Sequence, residues 1–317
     1  MRLCAIDVGS NTVRLLVADV TGVATWRIVD QDQTITRLGE NLARTGSLGE
    51  APMARTLAAL KGYVERATRL GVSDIRIVAT SAVREAANGS AFAAVVERAT
   101  GRRVDVVSGD VEAHFTLLGV RHGLGRLSGP VLTFDIGGGS TEYVLSEGDA
   151  VRSATSLRLG VVPLAERFPF PGVVSRAQYR ELHDEVRRRL ERELPEAIRT
   201  AGVAHLIGTA GTVTALAALD LGLVSYDPDR VQGHVLSRAA VERLLDRLCG
   251  LTVEERAALP CLEPGRADLI VPGTAIVMAT LDQAGVGKLR VSEYGLREGV
   301  LVDAIEAHHG SRPSAAP

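Results

Sequence analysis

The apolar positions of this chain fall in short bursts separated by small and charged residues. Leu3 to Ile6 is continuous, Asp7 interrupts it, and an apolar run resumes from Val13 to Val17 beyond Gly9-Ser10-Asn11-Thr12. Runs of that length bounded by turn formers read as buried strands rather than helices. Arg27–Val29 and Gln33–Leu38 continue the strand pattern. Residues 51–70 switch to helical spacing through Leu57, Leu60, Val64 and Ala67, with Gly71 as the stop. A strand over Asp74–Ala79 runs into Thr80–Glu85, and 88–100 reads as a helix capped by Asn88 or Ser90 and ended by Gly101. A strand over Arg103–Val107 then leads to a helix from Val111 to about Val120. A sheet flanked by helices follows from that order.

The glycines at 123, 125 and 129 mark Arg121–Pro130 as a crossover, after which the plan repeats. A hairpin spans 131–152, a charged helix about 176–200, and a strand at 204–207 enters Gly208-Thr209-Ala210-Gly211-Thr212. A strand over Lys288–Ser292 and a helix over Arg297–His308 close the chain, and 311–317 reads as a flexible tail. The expected domains are therefore 1–124 and 125–300, with the helix at about 297–310 packing back on the first.

The repeat carries the chemistry. Asp7-Val8-Gly9-Ser10-Asn11-Thr12 and Asp135-Ile136-Gly137-Gly138-Gly139-Ser140-Thr141 share one pattern at the tip of a strand-turn-strand hairpin. Glycine-rich turns let consecutive N–H groups face one concavity, which binds anions without a side-chain charge. Ser10, Asn11, Thr12, Ser140 and Thr141 add side-chain donors around Gly137, Gly138 and Gly139. Asp7 and Asp135 would repel a bare phosphate, so the pattern implies an intervening divalent cation, Mg2+ by the hardness of its oxygen donors, or another divalent ion. Gly208, Thr209, Gly211 and Thr212 form a third such loop, where a helix N-terminus adds its own donors.

Composition narrows the class. Hydrophobic residues make up 46% of the 317, charged residues 23% and aromatics 3%, the profile of a globular chain with an aliphatic core. A net charge of -2 supplies no global field for nucleic acid or a membrane surface. No run of about 18 apolar residues offers a membrane span, and Asp7 interrupts any leader. Cys4, Cys249 and Cys261 are scattered, which fits a reducing, cytoplasmic setting rather than a disulfide framework or a zinc site. The helix at 176–200 sets Arg187, Arg188, Arg189 and Arg192 among Glu181, Glu185, Glu191 and Glu193. It reads as a solvated face with pairs such as Glu185 to Arg189 in preference to a track for a polyanion.

Several segments, in order along nearly the whole chain, resemble the Ppx/GppA family, the exopolyphosphatase and guanosine pentaphosphate phosphohydrolase group. They are Ala5–Thr12, Ala79–Ala86, Ser108–Ala113, Asp135–Glu142, Gly208–Val213, Tyr226–Val231, Arg266–Asp268 and Gly295–Gly299. The resemblance implies two α/β domains of ribonuclease-H-like type, as in the actin-like ATPase superfamily, with the active site in a cleft between them. It implies that Glu112 is the general base for an attacking water and that Arg84 neutralises the transferred phosphoryl group. Asp135 and Glu142 would be the magnesium-side carboxylates, with Asp7 contributing from the other domain. A homodimer is implied by the resemblance alone. Taken without it, Glu112 is a first-turn carboxylate favoured by the helix dipole and Arg84 a surface arginine.

The chain departs from the family pattern at Val111, where a second glutamate is usual, at Gln232 for histidine, and at Glu293-Tyr294 for Asp-Arg. It also ends at 317 without the helical domain of longer relatives, so a shorter substrate path and weaker processivity are expected. Two substrates remain open, the terminal phosphate of inorganic polyphosphate first and pppGpp second. An actin-like kinase would share the loops but require an acceptor and another base. A non-catalytic polyphosphate or alarmone sensor would gain nothing from a base.

Overall fold

The computed structural model describes residues 1–22 and 25–310, with side chains to 308. The expected tail at 311–317 lies outside the described residues. The chain divides into two units, Met1–His122 with Tyr294–Pro317, and Gly123–Glu293.

In the first unit the elements run β1 (Arg2–Val8), β2 (Thr12–Gly22), β3 (Thr25–Ile35), α1 (Leu42–Thr45), α2 (Glu50–Arg69), β4 (Asp74–Ala79), α3 (Ser81–Glu85), α4 (Gly89–Thr100), β5 (Val104–Val106) and α5 (Gly109–Leu124). The sheet order is β3-β2-β1-β4-β5, with β1, β4 and β5 parallel and β2 antiparallel to its neighbours. Strand alternation sorts β1 between two faces. Cys4, Ile6 and Val8 pack in the cluster with Leu60, Val64 and Phe92 of α2 and α4. Leu3 and Ala5 join Val300, Leu301, Ala304 and Ile305 of the C-terminal helix. That helix completes the first core because the strand it covers is apolar on both faces.

The second unit runs β6 (Pro130–Ile136), β7 (Thr141–Glu147), β8 (Ala150–Leu157), α6 (Val161–Arg167), α7 (Arg176–Glu193), α8 (Glu196–Arg199), β9 (His205–Thr209), α9 (Ala210–Asp220), α10 (Pro228–Val231), β10 (Val235–Ser237), α11 (Arg238–Cys249), α12 (Val253–Ala257), a 3-10 turn at Pro264–Arg266, α13 (Ile270–Ala284) and β11 (Lys288–Ser292). The chain then returns to the first unit as α14 (Leu296–Gly310). Its sheet reads β10-β11-β9-β6-β7-β8, the first unit's order with an added edge strand. Two sheets of one topology are the actin-like α/β architecture that the sequence implies.

Local departures from the expected elements have physical reasons. Gln33–Leu38 is not a separate strand. The strand from Thr25 stops at Ile35, and Arg37 turns into the left-handed region at φ 50°. The charged helix ends at Glu193 because Leu194 precedes Pro195 and adopts extended geometry. A capping box between Ser175 and Gln178 starts it, a device worth about 1 kcal/mol. Its arginines are tied to carboxylates on the same helix, Arg187 to Glu191 at 2.8 Å and Arg189 to Glu193 at 3.1 Å. Glu185 pairs with Arg188 and Arg167 instead of Arg189. Asn88 stands before α4, but its amide bonds the N–H and carbonyl of Leu48 rather than capping.

Candidate functional site

In each sheet the loops that carry the candidate residues leave the carboxyl ends of parallel strands, where α/β folds gather their ligand groups. In the first unit these are the turn after β1, the start of α3 after β4, and the start of α5 after β5.

The turn after β1 closes with Gly9 N–H donating to the Thr12 carbonyl at 3.1 Å. Two further carbonyls of the turn are also occupied. Asn11 accepts from the N–H groups of Thr36 and Arg37, and Ser10 accepts from Gly39 at 2.7 Å. The amide side therefore remains as the loop's donor face, as an anion nest requires. Ser10 Oγ and Asn11 Oδ1 are buried with no partner among the described residues, while Asn11 Nδ2 reaches Thr12 Oγ1 at 3.2 Å. Buried polar atoms without partners are rare in native proteins, and here they sit where a ligand is expected.

Arg84 lies in the last turn of the short helix α3, and Glu112 in the first turn of α5, where the dipole favours a carboxylate. Sequence placed them 28 residues apart; the structure joins them. Arg84 Nη1 donates to Glu112 Oε2 at 2.8 Å and to the Val107 carbonyl at 2.9 Å. Glu112 is 7% exposed. The guanidinium holds one carboxylate oxygen of Glu112 in place, and a carboxylate oxygen is a group that can take a proton from water.

In the second unit the corresponding turn closes with Gly137 N–H to the Ser140 carbonyl at 2.9 Å, and the start of α6 donates to the carbonyls of Gly137 and Gly138. Asp135 and Glu142 are register partners on β6 and β7, so both carboxylates rise from one face. Glu142 is 1% exposed, and its Oε1 accepts from Ser140 Oγ and Ser156 Oγ, each at 2.7 Å. The Ser140 hydroxyl is thus engaged with the carboxylate, and that of Thr141 donates to the Leu159 carbonyl at 2.5 Å. What both residues can offer an anion is backbone N–H. Ser156 carried no sequence signal, because its role follows from β8 pairing with β7.

The third loop connects β9 to α9. Gly208 lies in the strand, where a Cβ would meet the Phe134 ring at 2.8 Å, so its reason is packing. Ala210 holds φ 71°, a left-handed alanine between Thr209 and Gly211. A Cβ on Gly211 would lie 2.1 Å from Arg266 Nη1, so only glycine admits the guanidinium over the loop. Thr209 and Thr212 are buried. At the end of β11 the departures fit together. Gln232 Oε1 accepts from Glu293 N at 2.7 Å, and Tyr226 OH donates to the Glu293 carboxylate. Burial and that carboxylate push the Tyr226 phenol up. In the first unit Tyr294 stacks on His122 at 5.9 Å, and His122 on Trp26 at 3.8 Å. Burial lowers the His122 pKa, against an opposing pull from Glu298.

Among the described residues no group of three or more His, Cys, Asp or Glu side chains gathers as a metal site. Asp7 lies in the first unit, Asp135 and Glu142 in the second. Two hard carboxylates in register still suit Mg2+, which keeps several waters and commonly takes one or two carboxylates plus substrate phosphates.

The Ppx/GppA phosphatase family profile matches residues 16–308. The chain belongs to the Ppx/GppA phosphatase family. It is 35% identical to exopolyphosphatase 2 of Mycobacterium tuberculosis over 95% of this chain and 98% of that protein. Exopolyphosphatase 1 of the same organism is 28% identical over 97% of this chain and 89% of the relative. Among solved structures, a family member from Aquifex aeolicus superposes with TM-score 0.83 at 33% identity, covering 99% of each chain. An exopolyphosphatase from Cytophaga hutchinsonii superposes at 0.90 and 26%, covering 97% and 98%. The chain is thus a phosphohydrolase acting on phosphoanhydride bonds, and among the described residues no helix is long and apolar enough to cross a membrane.

Proposed function

We propose that this Ppx/GppA phosphohydrolase is an exopolyphosphatase that releases the terminal phosphate of inorganic polyphosphate. The observation that carries the reading is the Arg84–Glu112 pair at 2.8 Å, beside the nest after β1. Glu112 accepts a proton from a water whose oxygen attacks the terminal phosphorus. The bond to the bridging oxygen breaks, and the shortened chain leaves with its electrons. Arg84 neutralises charge on the phosphoryl group in flight. Phosphoryl transfer to water needs positioning and charge neutralisation more than covalent help, which suits this inventory. The loops at 9–12, 137–141 and 208–212 bind phosphates chiefly through backbone donors. Asp135 and Glu142 would hold Mg2+ or a similar divalent ion, with Asp7 as a further carboxylate for it. The bound ion supplies charge neutralisation to the phosphates. The two exopolyphosphatase relatives support polyphosphate as the substrate.

The test is phosphate release with magnesium from long polyphosphate, short polyphosphate and pppGpp, with Glu112→Ala beside the native chain. Release from polyphosphate, reduced about 10²–10⁴-fold by the substitution, is the expected result. Release from pppGpp alone would move the enzyme to alarmone hydrolysis, and native-level activity in Glu112→Ala would remove the base from the mechanism.

A further inference from the structure

The turn between β3 and α1 is folded onto the first phosphate loop. Thr36 N and Arg37 N both donate to the Asn11 carbonyl, at 3.0 and 2.9 Å, and Gly39 N donates to Ser10. Arg55 fixes the turn from its other side, through the Thr36 carbonyl at 3.0 Å and Glu40 at 3.1 Å. Position 39 is tight for a side chain, since its Cβ would stand 3.0 Å from that of Ser10. Loop and turn therefore form one wall.

Within that wall Arg37 holds φ 50°. A left-handed residue with a Cβ costs roughly 1–2 kcal/mol, and the residues that commonly accept it are glycine and asparagine. The residues flanking α1 show both, at Asn41 with φ 59° and Gly46 with φ 68°. An arginine is therefore an outlier of residue type, of the kind that marks a function held in place by its surroundings. A second observation points to an anion. Ser10 Oγ, Asn11 Oδ1 and Thr36 Oγ1 are buried without partners among the described residues, and their residues are 3%, 8% and 0% exposed. These polar atoms come from the two segments that the backbone bonds bring together. Two are hydroxyls able to donate to a phosphate oxygen. Residues 9–12 contain no basic side chain.

We propose that Arg37 is a substrate-binding residue. It supplies the cation the first loop lacks and holds a phosphate of the polyanion other than the one Arg84 serves. Arg84 is itself anchored to Glu112 and Val107, so a second phosphate needs a second charge. This inference rests on the phosphohydrolase reading but concerns binding, which can be measured without turnover.

The experiment compares the full chain with Arg37→Gly and Arg37→Lys. Glycine relieves the left-handed strain, so loss of folding cannot mimic loss of binding: Arg37→Gly is expected to melt at or above the native temperature. Its KM for polyphosphate should rise about tenfold or more, kcat changing less, since a charged hydrogen bond is removed. Arg37→Lys should recover part of the KM as a point charge without the planar fork. Tripolyphosphate binding, measured by calorimetry in a Glu112→Ala background, should weaken in parallel. An Arg37→Gly chain with native KM and native tripolyphosphate affinity would sink the proposal. If the native chain releases no phosphate yet tripolyphosphate affinity still falls with Arg37→Gly, the hydrolase reading fails and Arg37 stands as an anion ligand.

Discussion

The two hairpins share a backbone and differ in charge. Gly9 and Gly137 close their turns with equivalent bonds, to Thr12 at 3.1 Å and to Ser140 at 2.9 Å. Across the sheet from the aspartate, however, the first hairpin places Arg14 and the second places Glu142. Directly opposed like charges destabilise a sheet, whereas opposite charges support it. The first aspartate therefore has a basic register partner, while the second has an acidic one and draws on neighbouring donors. Two serine hydroxyls supply the donors. The backing differs as well. The first loop leans on the irregular turn that carries Arg37, the second on the start of α6, where Gly160 is required because a Cβ would lie 2.3 Å from the Gly138 carbonyl. A duplicated turn can thus be specialised by its register partner and its backing, with its backbone closure unchanged.

The largest effect that separates the hairpins concerns metal dependence. Asp135→Asn should lower kcat by about 10²-fold or more and raise the magnesium concentration needed for half-maximal phosphate release. Asp7→Asn should cost about tenfold and leave that concentration near its native value. Equal shifts in the two magnesium titrations would mean the hairpins are equivalent, and the Arg14–Glu142 difference would lose its meaning.

A smaller effect lies one strand farther out. Ser156 stands opposite Glu142, and Gln33 occupies the matching place opposite Arg14. Ser156→Ala removes one of two hydroxyls from a buried carboxylate oxygen and should cost about 1–3 kcal/mol in denaturant unfolding. Gln33→Ala changes an exposed position and should stay within about 0.5 kcal/mol. Comparable losses at the two positions would argue that Glu142 does not depend on its serines.

Backbone and chemistry were unequally legible in the sequence. The strand-turn-strand repeat, the third loop and the helix bearing Glu112 were readable because glycine turns and apolar runs are local signals. Arg84 and Glu112 were readable only through family resemblance, since their 2.8 Å pairing depends on β4 and β5 lying side by side. Ser156 was invisible because a serine in a strand means nothing until its register is known. The hydroxyls of Ser140 and Thr141 read as ligand donors and instead bond Glu142 and Leu159, a distinction set by packing between strands. Arg37 was read as strand, since propensity cannot show that the backbone reverses to φ 50° one residue after the hydroxyl of Thr36 is buried.

The smallest predicted effect extends the comparison to the third loop. The first two nests place glycine or small residues with ordinary φ in their turns, whereas the third forces Ala210 to φ 71°. An L-residue there brings its Cβ toward the following carbonyl, at a cost of roughly 1–2 kcal/mol, which glycine avoids while losing more freedom on folding. Ala210→Gly should therefore stabilise the chain by about 1 kcal/mol or slightly less, read as a higher midpoint in denaturant at unchanged slope. If the strained alanine also holds the Gly211 amide in its binding direction, the same variant should lose phosphate affinity as it gains stability. Stability and KM moving in opposite directions would identify the third loop as a nest kept rigid by strain, unlike the two held by their backing. A gain in stability at constant KM would make the alanine a tolerated defect and the three loops alike.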